Sequence, residues 1–333
     1  MIKKIIYIWV FMCLAISLKA QDTYYSQFFA NKLDLNPAFA GSQYYHRVII
    51  NYRNQWANLG NPYVTYSLSY DRYLNGFGGV GIQLMQDRQA DGAQVTTAIK
   101  AIYSYMLKVN QNSAIRFALA GSFMKNQLDI SRLTFPDMID PDSGVSGTHN
   151  NTYDPTVTTM DDVDVSIGLL AHTGNYTFGF SAQHLAKPSI SFTKYSEIPY
   201  KFVAHFGAEF PITTNGLHPV HLNVSPLFMF QKQGDNMQMN YGLYSTRNNL
   251  VAGCWFRQNF NLHYDSMIFM FGFDNKLFRL AYSYDHAFNY LSSVGSSVHE
   301  VSLIFLLGER QKRKRYNQIP CPRFFRKMNI MEL

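Results

Sequence analysis

Past its first twenty residues the chain has no uninterrupted apolar stretch of the roughly 18 residues that a membrane-spanning helix requires. It is also poor in charge, with Asp, Glu, Lys and Arg making up 15% of the residues against the usual quarter or so. Cysteine is scarce as well: Cys13 lies near the amino terminus, and Cys254 and Cys321 are too remote from each other to suggest a structural disulfide. These absences exclude a helical membrane protein and a disulfide-stapled scaffold. In their place stand 23 Tyr and 26 Phe, a 16% aromatic fraction, on an ordinary 47% hydrophobic content. If a chain without an apolar helix lies in a membrane, only a closed barrel satisfies its backbone. A polar lumen and aromatic girdles produce this composition, and a secreted β-sandwich is the soluble alternative.

Residues 1–20 combine a basic start (Lys3, Lys4), an apolar stretch from Ile5 to Leu18 and Ala20 before Gln21, the make-up of a secretory signal peptide. Leu18 sits where a small residue is usual, so the cut after Ala20 is placed to within a few residues. No small residue precedes Cys13, so no lipoprotein anchor is expected. The formal charge of +7 divides unevenly: Lys3, Lys4 and Lys19 supply +3, the tail after Gly308 supplies +6, and 21–308 is left at −2. The basic pI belongs to the ends, and no nucleic-acid groove is implied.

Alternation supplies the fold. In 47–56, Val48, Ile50, Tyr52 and Trp56 oppose Arg47, Asn51, Arg53 and Gln55, which separates a lipid face from a lumen face. The next segment sets Val64, Tyr66, Leu68 and Tyr70 against Thr65, Ser67, Ser69 and Asp71; Gly79 and Gly81 then occupy lumen positions where large side chains would crowd. Segments at 94–107 and 115–123, and then at about 163–172, 174–186, 199–212, 219–231, 236–247, 250–260, 265–273, 277–286 and 298–307, continue the series. The expectation is an all-β, antiparallel transmembrane barrel of about fourteen strands in the outer membrane. The pattern is weakest at 236–247 and 265–273, where Met and Phe occupy both faces, and counts of twelve and sixteen stay open there. Domain limits follow: a signal peptide at 1–20, a short periplasmic or luminal segment at 21–46, the barrel at 47–307 and a basic periplasmic tail at 308–333. With a periplasmic amino terminus, the three longest connections (128–162, 187–198 and 287–297) fall on the cell exterior. Short turns, among them those at 74–76, 173–175, 214–216 and 274–276, face the periplasm.

Candidate chemical sites are few, and no catalytic residue, metal or cofactor is expected. Asp137, Asp140, Asp142 and Gly144 do not have the spacing of a calcium loop and are read as a solvated turn. His218 and His221 lack a third ligand nearby. Ser181 and His184, three apart on a strand, are expected on opposite faces and unable to pair. Inward charges carry more weight: Arg53, Asp71, Lys100, Arg116, Asp164, Glu209, Asp285 and Glu300 all take the polar phase. Of these, Arg53, Asp285 and Glu300 are expected to form one lumen cluster where the first and last strands close. In the tail, Arg310, Lys312, Arg313, Lys314, Arg315 and Arg323 make a candidate docking surface for a periplasmic partner or anionic headgroups. A solvated end is the plainer reading.

Several segments, in order along the chain, resemble the PorP/SprF family of type IX secretion system membrane proteins of Bacteroidetes. They include Tyr25-Ser26-Gln27-Phe28, Asn36-Pro37-Ala38-Phe39-Ala40-Gly41, Tyr52-Arg53-Asn54-Gln55-Trp56 and Ser69-Tyr70-Asp71. Leu133-Thr134-Phe135-Pro136-Asp137, Tyr282-Ser283-Tyr284-Asp285, His299-Glu300-Val301-Ser302-Leu303 and Cys321-Pro322-Arg323-Phe324 complete the series, although 325–333 extends past the usual ending. The resemblance implies a non-enzymatic outer-membrane component that helps export cargo or holds it at the surface. Expected partners are type IX secretion components, the C-terminal signal of a secreted adhesin, a periplasmic peptidoglycan-associated protein and outer-membrane lipids. The alternatives are a transporter for hydrophobic small molecules, which is expected to carry a larger amino-terminal plug than about 25 residues, and a lipid hydrolase, for which no nucleophile is placed.

Overall fold

The computed structural model describes residues 22–43, 45–58, 61–133, 138–140, 144–145, 157–189, 192, 197–213, 221–259, 264–275, 277–288 and 297–308. Alternation over these residues builds fourteen antiparallel strands closed into a barrel. They are β1 (His46–Gln55), β2 (Tyr63–Leu74), β3 (Gly78–Gln89), β4 (Gln94–Lys108), β5 (Ser113–Asp129), β6 (Val157–Thr173) and β7 (Tyr176–Gln183). β8 (Lys201–Ala208) breaks at Glu209 and continues as Phe210–Thr213; then come β9 (His221–Gln233), β10 (Asn236–Arg247), β11 (Leu250–Asn259), β12 (Tyr264–Asp274), β13 (Phe278–Ala287) and β14 (Val298–Leu307). Neighbours in sequence pair with each other, and β14 returns to β1 with Glu300 opposite Arg53. Closure leaves no edge, so every strand finds partners without water. Fourteen is the count expected from the sequence, and the two weakly patterned segments are β10 and β12.

The faces sort by solvent. Ile50, Tyr66, Leu68, Leu84, Ile99, Phe117 and Leu119 point outward and are exposed, whereas Asn51, Ser67, Ser69, Gln83, Ser104 and Ser122 on the same strands point inward and are buried. Hydrocarbon suits the first set, and a charge among them at the midplane costs about 2–4 kcal/mol. Arg53, Asp71, Arg116, Asp164, Glu209, Asp285 and Glu300 are accordingly buried inside.

The connections after β5, β7 and β13 are the longest and share one end of the barrel, here the long-loop end. Within the first, Ile139–Asp140 and Gly144–Val145 pair as a small hairpin. The opposite, turn end holds the start of β1, the end of β14 and short connections such as 75–77 and 174–175. The turn at 214–216 lies outside the described residues, as does Lys276.

Residues 22–43 do not lie beneath the barrel; they thread through it. Asp22 touches His184, Lys201 and Gln233 at the long-loop end, and Gly41 N–H donates to Asp71 near the turn end. Between them Phe28, Phe29, Leu33 and Phe39 are buried at 6% exposure or less and form the molecule's main apolar cluster with wall residues. The segment makes one helical turn, α1 (Lys32–Leu35), which ends because Asn36 precedes a proline and is held extended at φ −157°. The Asn36 side chain then accepts the Ala38 N–H at 2.9 Å and starts a 3-10 turn over Pro37–Phe39. Two wall glycines let this backbone pass: a Cβ at Gly79 would collide with Ala40 O, and one at Gly168 with Asn36 Oδ1.

Candidate functional site: a plugged lumen and its vestibule

The plug is fastened at three levels. At the turn end Arg47 Nε bonds Asp71 Oδ1 at 2.7 Å, and both partners bond the plug: Arg47 Nη2 donates to Phe39 O at 3.1 Å, and Asp71 Oδ2 accepts Gly41 N–H at 2.8 Å. Ser104 Oγ adds a bond to Ala40 O at 2.6 Å. Neither ion of the pair is left without partners in the low-dielectric interior, where an unpaired charge is expensive.

Higher in the lumen lies the seam between β14 and β1. Arg53 Nε is 3.9 Å from Glu300 Oε2, whereas Asp285 is bonded by Arg257 Nη1 at 2.9 Å. Ser26 of the plug links the two carboxylates, its N–H donating to Glu300 at 2.7 Å and its Oγ to Asp285 at 2.5 Å. Gln27 N–H also donates to Glu300, at 3.2 Å, Gln27 Nε2 donates to Glu300 O at 2.9 Å, and Ser302 Oγ donates to Gln27 Oε1 at 2.5 Å. Arg53, Asp285 and Glu300 are thus brought to one place, and what they surround is the plug backbone. The sequence offers no reason to place Arg257, Ser26 or Gln27 in this cluster: Ser26 and Gln27 stand out only within the segment Tyr25-Ser26-Gln27-Phe28 that resembles the family, and they precede any strand, so periodicity says nothing about them.

At the long-loop end Asp22 Oδ2 accepts from His184 Nε2 at 2.8 Å and from Lys201 Nζ at 3.2 Å, and His184 Nδ1 is 3.1 Å from Asp164. Burial works against a charged imidazole, but the two flanking carboxylates outweigh it and raise His184 to about 9. Burial likewise disfavours the Asp22 carboxylate, and His184 with Lys201 overcomes it, holding Asp22 well below the usual range. His184 also corrects one expectation. The strand stops at Gln183, His184 takes φ +60°, and its ring turns back into the lumen beside Ser181 instead of facing away. The two still do not pair, since Ser181 Oγ donates to Leu35 O at 2.9 Å.

Beside the upper plug a cavity of about 370 Å³ opens among β3–β8. Among the described residues, fifteen of its twenty lining residues are polar or charged, including Gln83, Asp87, Gln89, Gln94, Lys100 and Asn126. Met85, Ala98, Met124, Phe192 and Ile198 form an apolar spot within it. Among the described residues no cluster of His, Cys, Asp and Glu could hold a metal ion. Asp137, Asp142, His218 and the tail residues Arg310, Lys312, Arg313, Lys314, Arg315 and Arg323 lie outside the described residues, and so do the side chains of Asp140 and His221.

Comparison with known proteins adds a family. The model of the family described as "Type IX secretion system membrane protein PorP/SprF" matches residues 17–305. No curated protein matches the chain. Among solved structures, the CymD monoaromatic hydrocarbon channel is 13% identical, with a TM-score of 0.46 over 84% of this chain and 93% of its own. The Pseudomonas putida toluene transporter TodX is 10% identical, with a TM-score of 0.46 over 83% and 93%. Omp33 of Acinetobacter baumannii is 9% identical, with a TM-score of 0.44 over 80% and 100%. At these identities and scores the overlap says nothing of what passes through this barrel.

Proposed function

The chain belongs to the PorP/SprF family of type IX secretion system membrane proteins, and from that premise we propose that it assists, without catalysis, the secretion or surface attachment of cargo such as gliding adhesins. It is an outer-membrane β-barrel. The observation that carries the reading beyond the family is the lumen: a segment of polypeptide threads it, held by buried side chains at three levels. A barrel sealed in this way suits a component that docks proteins better than one that passes solutes. In this reading 1–20 is a cleaved signal peptide and the long-loop end faces the exterior. The tail after Gly308 lies in the periplasm, where its basic residues attract an acidic surface on a type IX or peptidoglycan-associated partner.

The transporter alternative needs a different argument from the one the sequence suggested. About 25 residues are enough to plug this lumen, so a short amino terminus does not count against it. Its difficulty is the lumen below the cavity, which the plug occupies with a backbone held at the turn end, at the seam and at the long-loop end.

Deletion of the gene is expected to leave cargo inside the cell or degraded while the outer membrane stays intact; normal surface cargo in that strain refutes the secretion role. An epitope tag near Ser146 is expected to be reachable on intact cells, and protection there with exposure of the carboxyl terminus inverts the topology. Gln substitutions at Arg310, Lys312, Arg313, Lys314, Arg315 and Arg323 are expected to weaken co-purification with the periplasmic partner. Added salt should have the same effect on the wild type. Normal export by a barrel truncated after Gly308 reduces the tail to a passive end.

A further inference from the structure

The plug shows how this lumen grips a polypeptide. Wall side chains bond plug main-chain groups: Gln233 Oε1 accepts Asp22 N–H at 3.2 Å, Gln183 Nε2 donates to Asp34 O at 2.7 Å, and Ser181 Oγ donates to Leu35 O at 2.9 Å. A primary amide offers a donor and an acceptor side by side, as a peptide group does. The same kind of wall continues around the vestibule, which the plug borders with Asp22, Thr23 and Asp34 but does not fill. Gln83, Gln89, Gln94 and Asn126 line its β3–β5 side. Gln83 is 3% exposed and uses Nε2 on Asn31 and Ser67, both at 3.4 Å, while its Oε1 is buried with no hydrogen-bond donor. Next to it Met124, Ile198 and Ala98 pack into an apolar spot of side-chain size.

We propose that the vestibule binds an extended segment of a partner polypeptide, which enters from the long-loop end and lies beside plug residues 22–34 along β3–β5. Wall amides take its main chain, the Met124–Ile198 spot takes one apolar side chain, and a volume of about 370 Å³ admits only a few residues. Recognition is therefore local, by a short stretch of the partner. A polysaccharide strand fits less well, because Phe192 supplies the only benzene ring among the described lining residues for a sugar to stack on. The identification of the partner as a type IX cargo rests on the function proposed above; the peptide chemistry of the site does not.

The test uses the full chain in cells that display a type IX cargo. A benzophenone amino acid at Gln94, in the vestibule, is compared with one at Ile99, on the outer face. Light is expected to yield an adduct from position 94 and none from 99, and mass spectrometry is expected to place the cross-link within one stretch of the cargo. Ser122→Trp, which fills the cavity, is expected to lower both adduct and surface cargo about tenfold with the barrel still heat-modifiable, whereas Ile99→Trp changes neither. Should Ser122→Trp fail to fold, Ala98→Trp fills the same space. An adduct to this chain's own 134–156 or 190–196, to a sugar or to lipid, or no adduct at all, overturns the proposal. Normal cargo display by a folded, cavity-filled barrel overturns it too. If that normal display comes with loss of display in the deletion strain, this inference alone fails; normal display in the deletion strain removes the secretion role instead.

Discussion

The two sides of the lumen wall are built from different chemistry. On β2–β5 the inward residues include Ser67, Ser69, Gln83, Thr96, Ser104 and Ser122 beside the apolar Ile102, Ala118 and Ala120; on β10–β12 they include the large Tyr244, Trp255, Ile268 and Met270, all nearly fully buried, beside Asn240, Arg257 and Ser266. The reason is what each side faces. Phe29 of the plug meets Trp255 edge-on at 5.4 Å between centroids and Tyr244 at 5.2 Å, and Phe28 meets Trp255 at 6.4 Å. The β10–β12 side is therefore a protein core of large side chains, whereas β3–β5 bear, toward the long-loop end, a vestibule that the plug only partly fills. Stability should be concentrated on the first side and docking on the second.

That contrast is open to attack by substitution. The largest effect is expected for Glu300→Ala at the seam, which strands Arg53 and two plug N–H groups at once; breaking a buried ion pair from one side costs about 3–5 kcal/mol. The measurement is protease cleavage within 22–35 of a folded barrel. Phe29→Ala follows at about 3 kcal/mol of lost plug docking. In a Trp56→Phe background, Trp255 emission should shift to the red and plug cleavage should rise.

A comparable effect, at most about 3 kcal/mol, is expected from pH at the Asp22–His184 contact. Because the folded His184 value is raised, to about 9 from 6.5, its contribution is complete below pH 6.5 and is lost as pH rises through 9. Asp22 is depressed, so its share is present above the ordinary carboxylate range and lost only as pH falls well below it. Cleavage near residue 22, by a protease active from pH 6 to 10, should accelerate toward alkaline pH, and His184→Gln should flatten the curve. The smallest effect belongs to the vestibule side. Ser69 Oγ has no partner among the described residues, and Ser69→Ala should leave stability unchanged within about 0.5 kcal/mol, read from the temperature at which the barrel loses its compact gel mobility.

The same contrast explains what the sequence reveals and what it hides. β1 and β2 are legible because hydrocarbon on one side and polar lumen on the other enforce a period of two, and even Glu300 and Asp285 stand out by phase. β10 and β12 are blurred because their inward Tyr244, Ile268 and Met270 answer to Phe28 and Phe29 across the lumen, not to water. The plug itself has no period: one helical turn, a 3-10 turn and extended links are fixed by contacts with distant strands. Its nearest sequence trace is indirect, in Gly79 and Gly81 at inward positions, where the small residue makes room for Ala40 and Leu33. His184 was misplaced because strand phase was carried one residue past the end of β7, where φ turns positive.

Closure of the lumen by residues 22–43 underlies both the docking role and the contrast between the two walls. Its most direct test is single-channel conductance in a planar bilayer of the mature barrel, beside a barrel lacking 22–40. The intact protein is expected to stay closed or pass only small currents, and the shortened one to show large, stable openings. Large openings in the intact protein, equal to those of the shortened barrel, would contradict the plug.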